Sequence, residues 1–383
     1  VFLALRDLRF ATGRFALMGS VVALISLLLV MLSGLTAGLG GQNTAAIDRL
    51  GEQGVQRLVF GGAAGQEPTA SFTQSEFTVA QRDAWAATDG VASVEPLGVS
   101  QGRAIGLEHP VDTDPQGRAD VSGEPTTGVA TTAFIGLTPG GSDAPAGVEP
   151  RQIVLSQDVA DSLHAQAGDA VAVSGFVFTV ADVVPTDYYS HSPVTWLALE
   201  DWNAISHTAD DAVLGTAGLV RFDAGADVDA VAAAGDDAAG TVAETVKGSY
   251  AALPSYRSEN GSLMTMQGFL YGISALVVIA FLSIWTVQRT RDIAVLKALG
   301  GSNGWVLKDS LAQAAFVLVG GVAVGTGLAA AIGAFAGRAV PFELSWATTA
   351  VPAAGVLVLG MLAAVVAVFR VTRIDPLVAL GGN

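Results

Sequence analysis

Few side chains in this sequence can do covalent chemistry, and their spacing narrows the choice further. Gly98-Val99-Ser100-Gln101-Gly102 fits the G-x-S-x-G nucleophile pattern, which needs a strand–turn–helix context and a later Asp and His. The run sits inside an alternating, strand-like stretch, so the pattern reads as chance. His109, His164, His191 and His207 show no zinc spacing and read as surface loop residues. None of the three lysines, Lys247, Lys297 and Lys308, follows a glycine, so no Gly-Lys-Ser/Thr loop can cradle phosphates. Cysteine is absent, which removes disulfide and thiolate chemistry. The sequence therefore predicts a non-enzyme with no catalytic residue, no metal site and no cofactor of its own. Any ATP and magnesium would sit on a separate ATPase chain.

What could position such sparse chemistry is a set of apolar helices. Of 383 residues, 51% are hydrophobic and 14% charged, against roughly 25% charged in a soluble domain. Four stretches carry no charge: 15–39, 260–288, 310–337 and 344–369. A membrane-spanning helix needs about 20 apolar residues, and a soluble helix of such length needs a polar face that these lack. The first stretch exceeds the h-region of a signal peptide, about 7–15 residues. It reads as an uncleaved anchor, with Val1 as an alternative start codon.

Charge predicts the orientation. The N-terminus, the segment after the second stretch and the C-terminal tail hold nine basic and four acidic residues, whereas the segment between the first two stretches holds nine basic and thirty acidic ones. Basic segments stay in the cytoplasm. Both termini are expected inside and the acidic segment outside. The net charge of −16 argues against nucleic acid as a partner. The expected order is a cytoplasmic amphipathic N-terminus (1–14), helix 1 (15–41), an extracytoplasmic α/β domain with a stalk (42–262) and helix 2 (263–288). A cytoplasmic coupling helix (289–309), helix 3 (310–337), an outer turn (338–343), helix 4 (344–369) and a cytoplasmic tail (370–383) follow. The fold class is thus an α-helical membrane protein of four transmembrane helices, with a mixed α/β domain inserted between helices 1 and 2.

Within the outer segment, 43–58 has helical spacing, as if the first helix continued as a stalk. Short helices are predicted at 79–87 and 159–165 and a strand at 153–155. A hairpin is predicted from 170–173 and 176–184 around Ser174-Gly175. Stretches 108–127 and 138–150 read as loops, and 224–241 as an exposed helix or loop.

Gly34 and Gly38, Gly268 and Gly272, Gly321 and Gly325, and Gly333 and Gly337 recur at i, i+4. Such pairs let helices approach closely in lipid, within one protomer or across a dimer seam, and both readings stand for the first two pairs. Tyr256 and Tyr189 suit the headgroup level as anchors. The run Gln288 to Ser302 is amphipathic, with Ile293, Leu296 and Leu299 on one face and Gly300-Gly301 at its end. It could lie on the membrane surface or dock a cytosolic partner.

That run, Arg291-Asp292-Ile293-Ala294-Val295-Leu296-Lys297-Ala298-Leu299-Gly300, resembles the signature of FtsX/MacB-type (type VII) ABC transporter permeases. Leu5-Arg6-Asp7-Leu8-Arg9 and the tail Arg373-Ile374-Asp375-Pro376-Leu377 resemble the same family, as do the helix order and the 153–184 run. The resemblance implies a homodimer in membrane lipid, served by two copies of a cytosolic ABC ATPase. It implies that Arg291, Asp292, Ile293, Leu296, Lys297, Leu299 and Gly300 couple to that ATPase.

A finer likeness lies in Pro254-Ser255-Tyr256, Glu259, Leu263-Met264, Met266, Phe269-Leu270 and Ile273-Ser274. This stretch is similar to the entry to the second helix in haem-exporting permeases of Gram-positive bacteria. It implies haem as substrate, with Tyr256, Tyr189 or its neighbour Tyr188, and Met31 near it. That family carries an acid on the first helix; here Gln42 is the nearest polar group. Haem iron accepts Tyr, Met or His. The expected function is export of haem from the membrane by mechanical coupling. The alternatives are export of another amphiphile, such as a lipid, lipoprotein or peptide, and a signalling permease that controls a cell-wall hydrolase.

Overall fold

The computed structural model describes residues 12–63, 66–206, 212–288, 303–337 and 340–372. The expected coupling residues Arg291 to Gly300, the first eleven residues and the tail from 373 lie outside the described residues. The chain divides into a helical unit (1–39 and 260–383) and an α/β unit (40–259).

Among the described residues, the helical unit holds four helices, each long and apolar enough to cross a membrane. They are α1 (Thr12–Glu52), whose last turns belong to the α/β unit, α6 (Pro254–Gln288), α7 (Asn303–Ala336) and α8 (Trp346–Thr372). Apolar residues surround each helix, so burial follows packing and not a polar–apolar division. The shared core takes Met18, Val22 and Leu29 from α1, Val278 from α6, Leu318 from α7 and Val356 and Ala364 from α8. Glycines set the approach of α7 to α1: a β-carbon on Gly325 would lie 2.9 Å from Ala23 Cα, and one on Gly321 2.9 Å from Val22 Cβ. Large side chains such as Leu24, Phe269, Leu276, Phe335 and Val358 point outward, as suits a surface in contact with lipid tails. A reciprocal cap starts α8, in which Ser345 Oγ accepts from Thr348 N at 3.2 Å and Thr348 Oγ1 accepts from Ser345 N at 2.9 Å.

Among the described residues, the α/β unit centres on one ten-stranded mixed sheet. Its strands are β1 (Arg57–Phe60), β3 (Val91–Leu107), β4 (Thr126–Leu137), β5 (Gln152–Ser156), β6 (Ala170–Val173), β7 (Phe176–Val184), β8 (Tyr188–Tyr189), β9 (Ser192–Ala198), β11 (Ala217–Phe222) and β12 (Val242–Thr245). The short β2 (Phe77–Thr78) and β10 (Val213–Gly215) pair separately. The path runs β12-β1-β11-β3-β4-β9-β5-β7-β6, and β6 also pairs with β3, so six strands close on themselves. Closure removes edges at which another chain could add a strand. The ring encloses Phe134, Ile153, Leu155, Val171, Phe178 and Leu197, all buried. β3 spans two cores, because its first half pairs β11 and its second half pairs β4 and β6.

The hairpin expected at Ser174-Gly175 is present as β6 and β7, with Val173 opposite Phe176. The helix expected at 79–87 is α2 (Val79–Ala86), closed by a capping box between Thr78 and Gln81. The stretch 224–241 holds α5 (Val228–Ala239), capped by Asp227 and ended by Gly240 in the left-handed region. It packs by Gly235 against the Trp85 ring, and Trp85 Nε1 donates to Thr241 Oγ1 at 2.9 Å. The G-x-S-x-G run lies within β3, and Ser100 Oγ accepts from Trp202 Nε1 at 3.0 Å. Gly98 and Gly136 make room for the same indole. The pattern therefore serves packing of Trp202 against the sheet.

Candidate functional site

The last turns of α1, the β8–β9 turn and the first turn of α6 converge within the α/β unit. Asn43, Thr44, Asp48 and Arg49 form a polar ladder on α1. Arg49 Nη1 donates to Asp187 at 2.7 Å, and its guanidinium stands 5.4 Å from the centre of the Trp196 ring. Thr44 Oγ1 donates to Asp48 at 3.0 Å, and Asp48 also accepts from the hydroxyl of Tyr250. Burial first, and then this acceptor, raise the Tyr250 phenol pKa. Tyr256 packs edge-on against Tyr250, their ring centres 5.4 Å apart.

At the head of the ladder, Asn43 is buried and meets both other elements. Its Oδ1 accepts from Ser255 Oγ at 2.8 Å. Its Nδ2 lies 3.1 Å from Glu259 Oε2 and 3.0 Å from His191 Nε2. His191 Nε2 is 2.9 Å from Glu259 Oε2. Ser190 N donates to the Asn43 carbonyl at 3.1 Å, and His191 N to the Gln42 carbonyl at 2.9 Å. The reading of His191 as a plain surface loop residue is thus corrected: it is one corner of a three-element cluster. Ser255 and Glu259 stand at i, i+4 on one face of α6, and that spacing was a usable signal. The partner turn Ser190-His191 carried none, since two-residue hairpin turns are usually marked by Asn or Gly.

The expected haem-contacting residues fall at different places. Tyr189 is only 4% exposed, with its ring 5.6 Å from that of Phe72 in edge contact. Tyr189, expected as a headgroup-level anchor or a substrate contact, is instead a core side chain, and burial raises its phenol pKa. Tyr188 is half-buried and donates to Asp158. Burial and that hydrogen bond push its pKa up to about 12. Tyr256 is half-buried. Gln42 belongs to the α/β unit with these tyrosines, whereas Met31 lies half-buried on α1 in the helical unit. Gly34 and Gly38 face the chain's own Phe342 and Pro341, so their close packing is intramolecular; Gly268 and Gly272 face open space. A groove of about 520 Å³ runs between Ala16–Leu27 of α1 and Gly320–Leu328 of α7.

A unit of four apolar helices joined to a folded α/β unit defines a multi-pass membrane protein with one globular domain. Residues 264–376 match the FtsX-like permease C-terminal domain. The chain is 29% identical over 130 residues to a protein of Staphylococcus haemolyticus (strain JCSC1435) named as a hemin transport system permease, HrtB. It is 27% identical over 131 residues to the protein of the same name from Staphylococcus epidermidis (strain ATCC 12228). Each match covers 34% of this chain and 37% of the relative. The chain thus spans little more than a third of the length of these relatives. Among solved structures, it is similar to the extracellular domain of the noncanonic ABC-type transporter YknZ from Gram-positive bacteria. That match has 14% identity and a TM-score of 0.32, and covers 49% of this chain and 96% of that one. It is also similar to the periplasmic region of MacB from Actinobacillus actinomycetemcomitans, with 10% identity and a TM-score of 0.33, covering 50% and 89%.

Proposed function

We propose that this chain is the permease subunit of an ATP-driven ABC exporter that expels haem from a bacterial cell membrane. Two copies work with two copies of a separate cytosolic ATPase. The observation that carries this reading is the likeness of about a third of the chain to permeases named for hemin transport, which accompanies the FtsX-like match over 264–376. The α6 helix supports it. Little of its apolar stretch is buried within the chain, and Met264, Met266, Phe269 and Ile273 are exposed. That face is free for lipid, for a second copy and for a flat apolar ligand. Both termini are inside and the α/β unit is outside, as the charge distribution favours. ATP binding closes the ATPase pair against the segment around Arg291 to Leu299, and a rigid-body change carries that motion outward.

The test is haem titration of the purified full-length chain in detergent, followed at the Soret band, with Tyr256→Phe, Met31→Ala and Tyr188→Phe beside wild type. The expected result is saturable binding that weakens noticeably on loss of a ligand. Tyr189→Phe should change stability and leave haem affinity untouched. A wild type with no saturable Soret change would sink the haem reading and leave another amphiphile as cargo. In that case ATPase stimulation by the reconstituted chain would still identify the permease, and its loss in Leu296→Asp would identify the coupling segment.

A further inference from the structure

The chain passes between its two units along helices, and glycine stands at both crossings. α1 leaves the helical unit between Leu39 and Gly40, and α6 returns to it between Glu259 and Asn260. Gly40 and Gly41 mark the first crossing and Gly261 the second. All three lie inside continuous helix, Thr12–Glu52 and Pro254–Gln288. A β-carbon on any of them would meet none of the described residues within 4 Å, and none has a positive φ. Neither close packing nor backbone geometry therefore calls for glycine here. Gly38 is the contrast, since the Pro341 carbonyl occupies the place of its β-carbon. Glycine frees the backbone, weakens a helix relative to alanine and lets it bend.

The two helices are fastened to each other on either side of these glycines, each time within one unit. In the α/β unit, Asn43 of α1 accepts from Ser255 Oγ at 2.8 Å and donates to Glu259 at 3.1 Å, both on α6. His191 Nε2 lies 3.0 and 2.9 Å from the two Glu259 oxygens and completes this clasp. In the helical unit, Gln267 Nε2 of α6 donates to Thr36 Oγ1 of α1 at 3.3 Å. Two helices tied above and below a segment can bend there only if both yield at the same height. Gly41 comes two residues before Asn43, and Gly261 two residues after Glu259. Each thus lies about 3 Å along its own helix from the clasp, toward the helical unit.

We propose that Gly40-Gly41 and Gly261 form a paired hinge between the Asn43–Glu259 clasp and the Thr36–Gln267 bond, on which the α/β unit tilts as a rigid body. Hinges of this kind confine a motion to a few residues and leave the packed bodies on each side unchanged. In the permease cycle, the hinge is where motion begun at the ATPase becomes a tilt of the α/β unit. That role rests on the permease reading. The hinge itself does not, and its test reads the joint alone.

The chain lacks cysteine, so Ser142→Cys in the α/β unit and Ala347→Cys in α8, both at exposed positions, place one spin label on each unit. The full-length protein in detergent is diluted with unlabelled chain, so that each measured distance lies within one molecule. Pulsed electron paramagnetic resonance should then read a broad distance distribution. Gly40→Ala, Gly41→Ala and Gly261→Ala together should remove most of that breadth. Gly327→Ala, which also meets nothing within 4 Å but lies within the helical unit, should leave it unchanged. Hydrogen exchange gives an independent reading. The amides of 41–45 should exchange through local opening, and alanine at position 40 or 41 should slow them roughly fivefold, the helix-propensity difference between the two residues. A narrow wild-type distribution, a breadth that survives the three substitutions, equal narrowing by Gly327→Ala, or exchange unaltered by alanine would each overturn the hinge.

Discussion

The carbonyl of Pro341 lies directly over Gly38, so close that a β-carbon on Gly38 would also fall 2.8 Å from the Phe342 amide nitrogen. Glu343 N donates to the Gly34 carbonyl at 3.0 Å one turn earlier. The turn before α8 is therefore seated on the glycine face of α1, within one chain.

Backbone cannot yield as a side chain can, and this ranks the glycine substitutions. Gly38→Ala and Gly325→Ala should each destabilise the detergent-solubilised protein by about 1–3 kcal/mol, the usual cost of overpacking. Gly34→Ala should cost less, because its obstacle is the ring edge of Phe342. Gly268→Ala meets nothing within 4 Å, and should be neutral or gain up to about 1 kcal/mol from helix propensity. Melting temperatures of the four variants check the order. If Gly268→Ala instead lowers the melting temperature in a concentration-dependent manner, that face is occupied by a second copy.

The Ser100–Trp202 hydrogen bond yields a second test. Ser100→Ala leaves the indole N–H without its acceptor and should cost about 1–3 kcal/mol. In a Trp202→Phe background the same change should cost much less, because the donor is gone as well. Esterase activity should be absent throughout. A serine-dependent hydrolysis rate would contradict the packing role of the G-x-S-x-G run.

Acid pH should favour the α/β unit through two carboxyls, the buried Asp201 and the half-buried Asp236. Burial raises the pKa of Asp201 against the opposing hydrogen bond from Arg151 N. Burial likewise raises that of Asp236 against the bonds from Thr241 and Ala243. A raised folded-state pKa contributes stability that is full below the unfolded value and is lost as pH rises through the folded one. Melting curves from about pH 4 to pH 7 should show that loss, and Asp201→Asn, which keeps an acceptor for Arg151, should flatten it. An unchanged slope would mean that Asp201 titrates alike in both states.

Orientation is open to single-cysteine labelling, since the background contains no cysteine. Ser142 is exposed in the α/β unit. A cysteine there should react with an impermeant thiol reagent on intact cells, and one at Ser302 should react only after lysis. The reversed pattern would overturn the proposed topology.

The long apolar runs and the β6–β7 hairpin were legible because their signals are local: uninterrupted hydropathy, and alternation around Ser174-Gly175. The ten-stranded sheet was not. It places Arg57 opposite Thr245 and Ala133 beside Val194, pairings that no local period announces. Tyr189 and His191 misled for the same reason. Two residues apart in one turn, they point to a buried core and to a polar cluster, and only the strands around them decide which goes where.

The pairing of β1 with β12 has a consequence for how the chain is made. The first strand of the α/β unit emerges early and finds one neighbour, β12, only at residues 242–245. The core that holds Ile47 and Leu58 also waits for Leu253, at the threshold of α6. During synthesis β1 must stay unpaired on that side for nearly two hundred residues, a long-range closure that slows folding and exposes strand edge to misassembly. The unit completes its sheet only as its second long helix begins to emerge, so biogenesis of the two units is coupled in time even where their folded cores are separate.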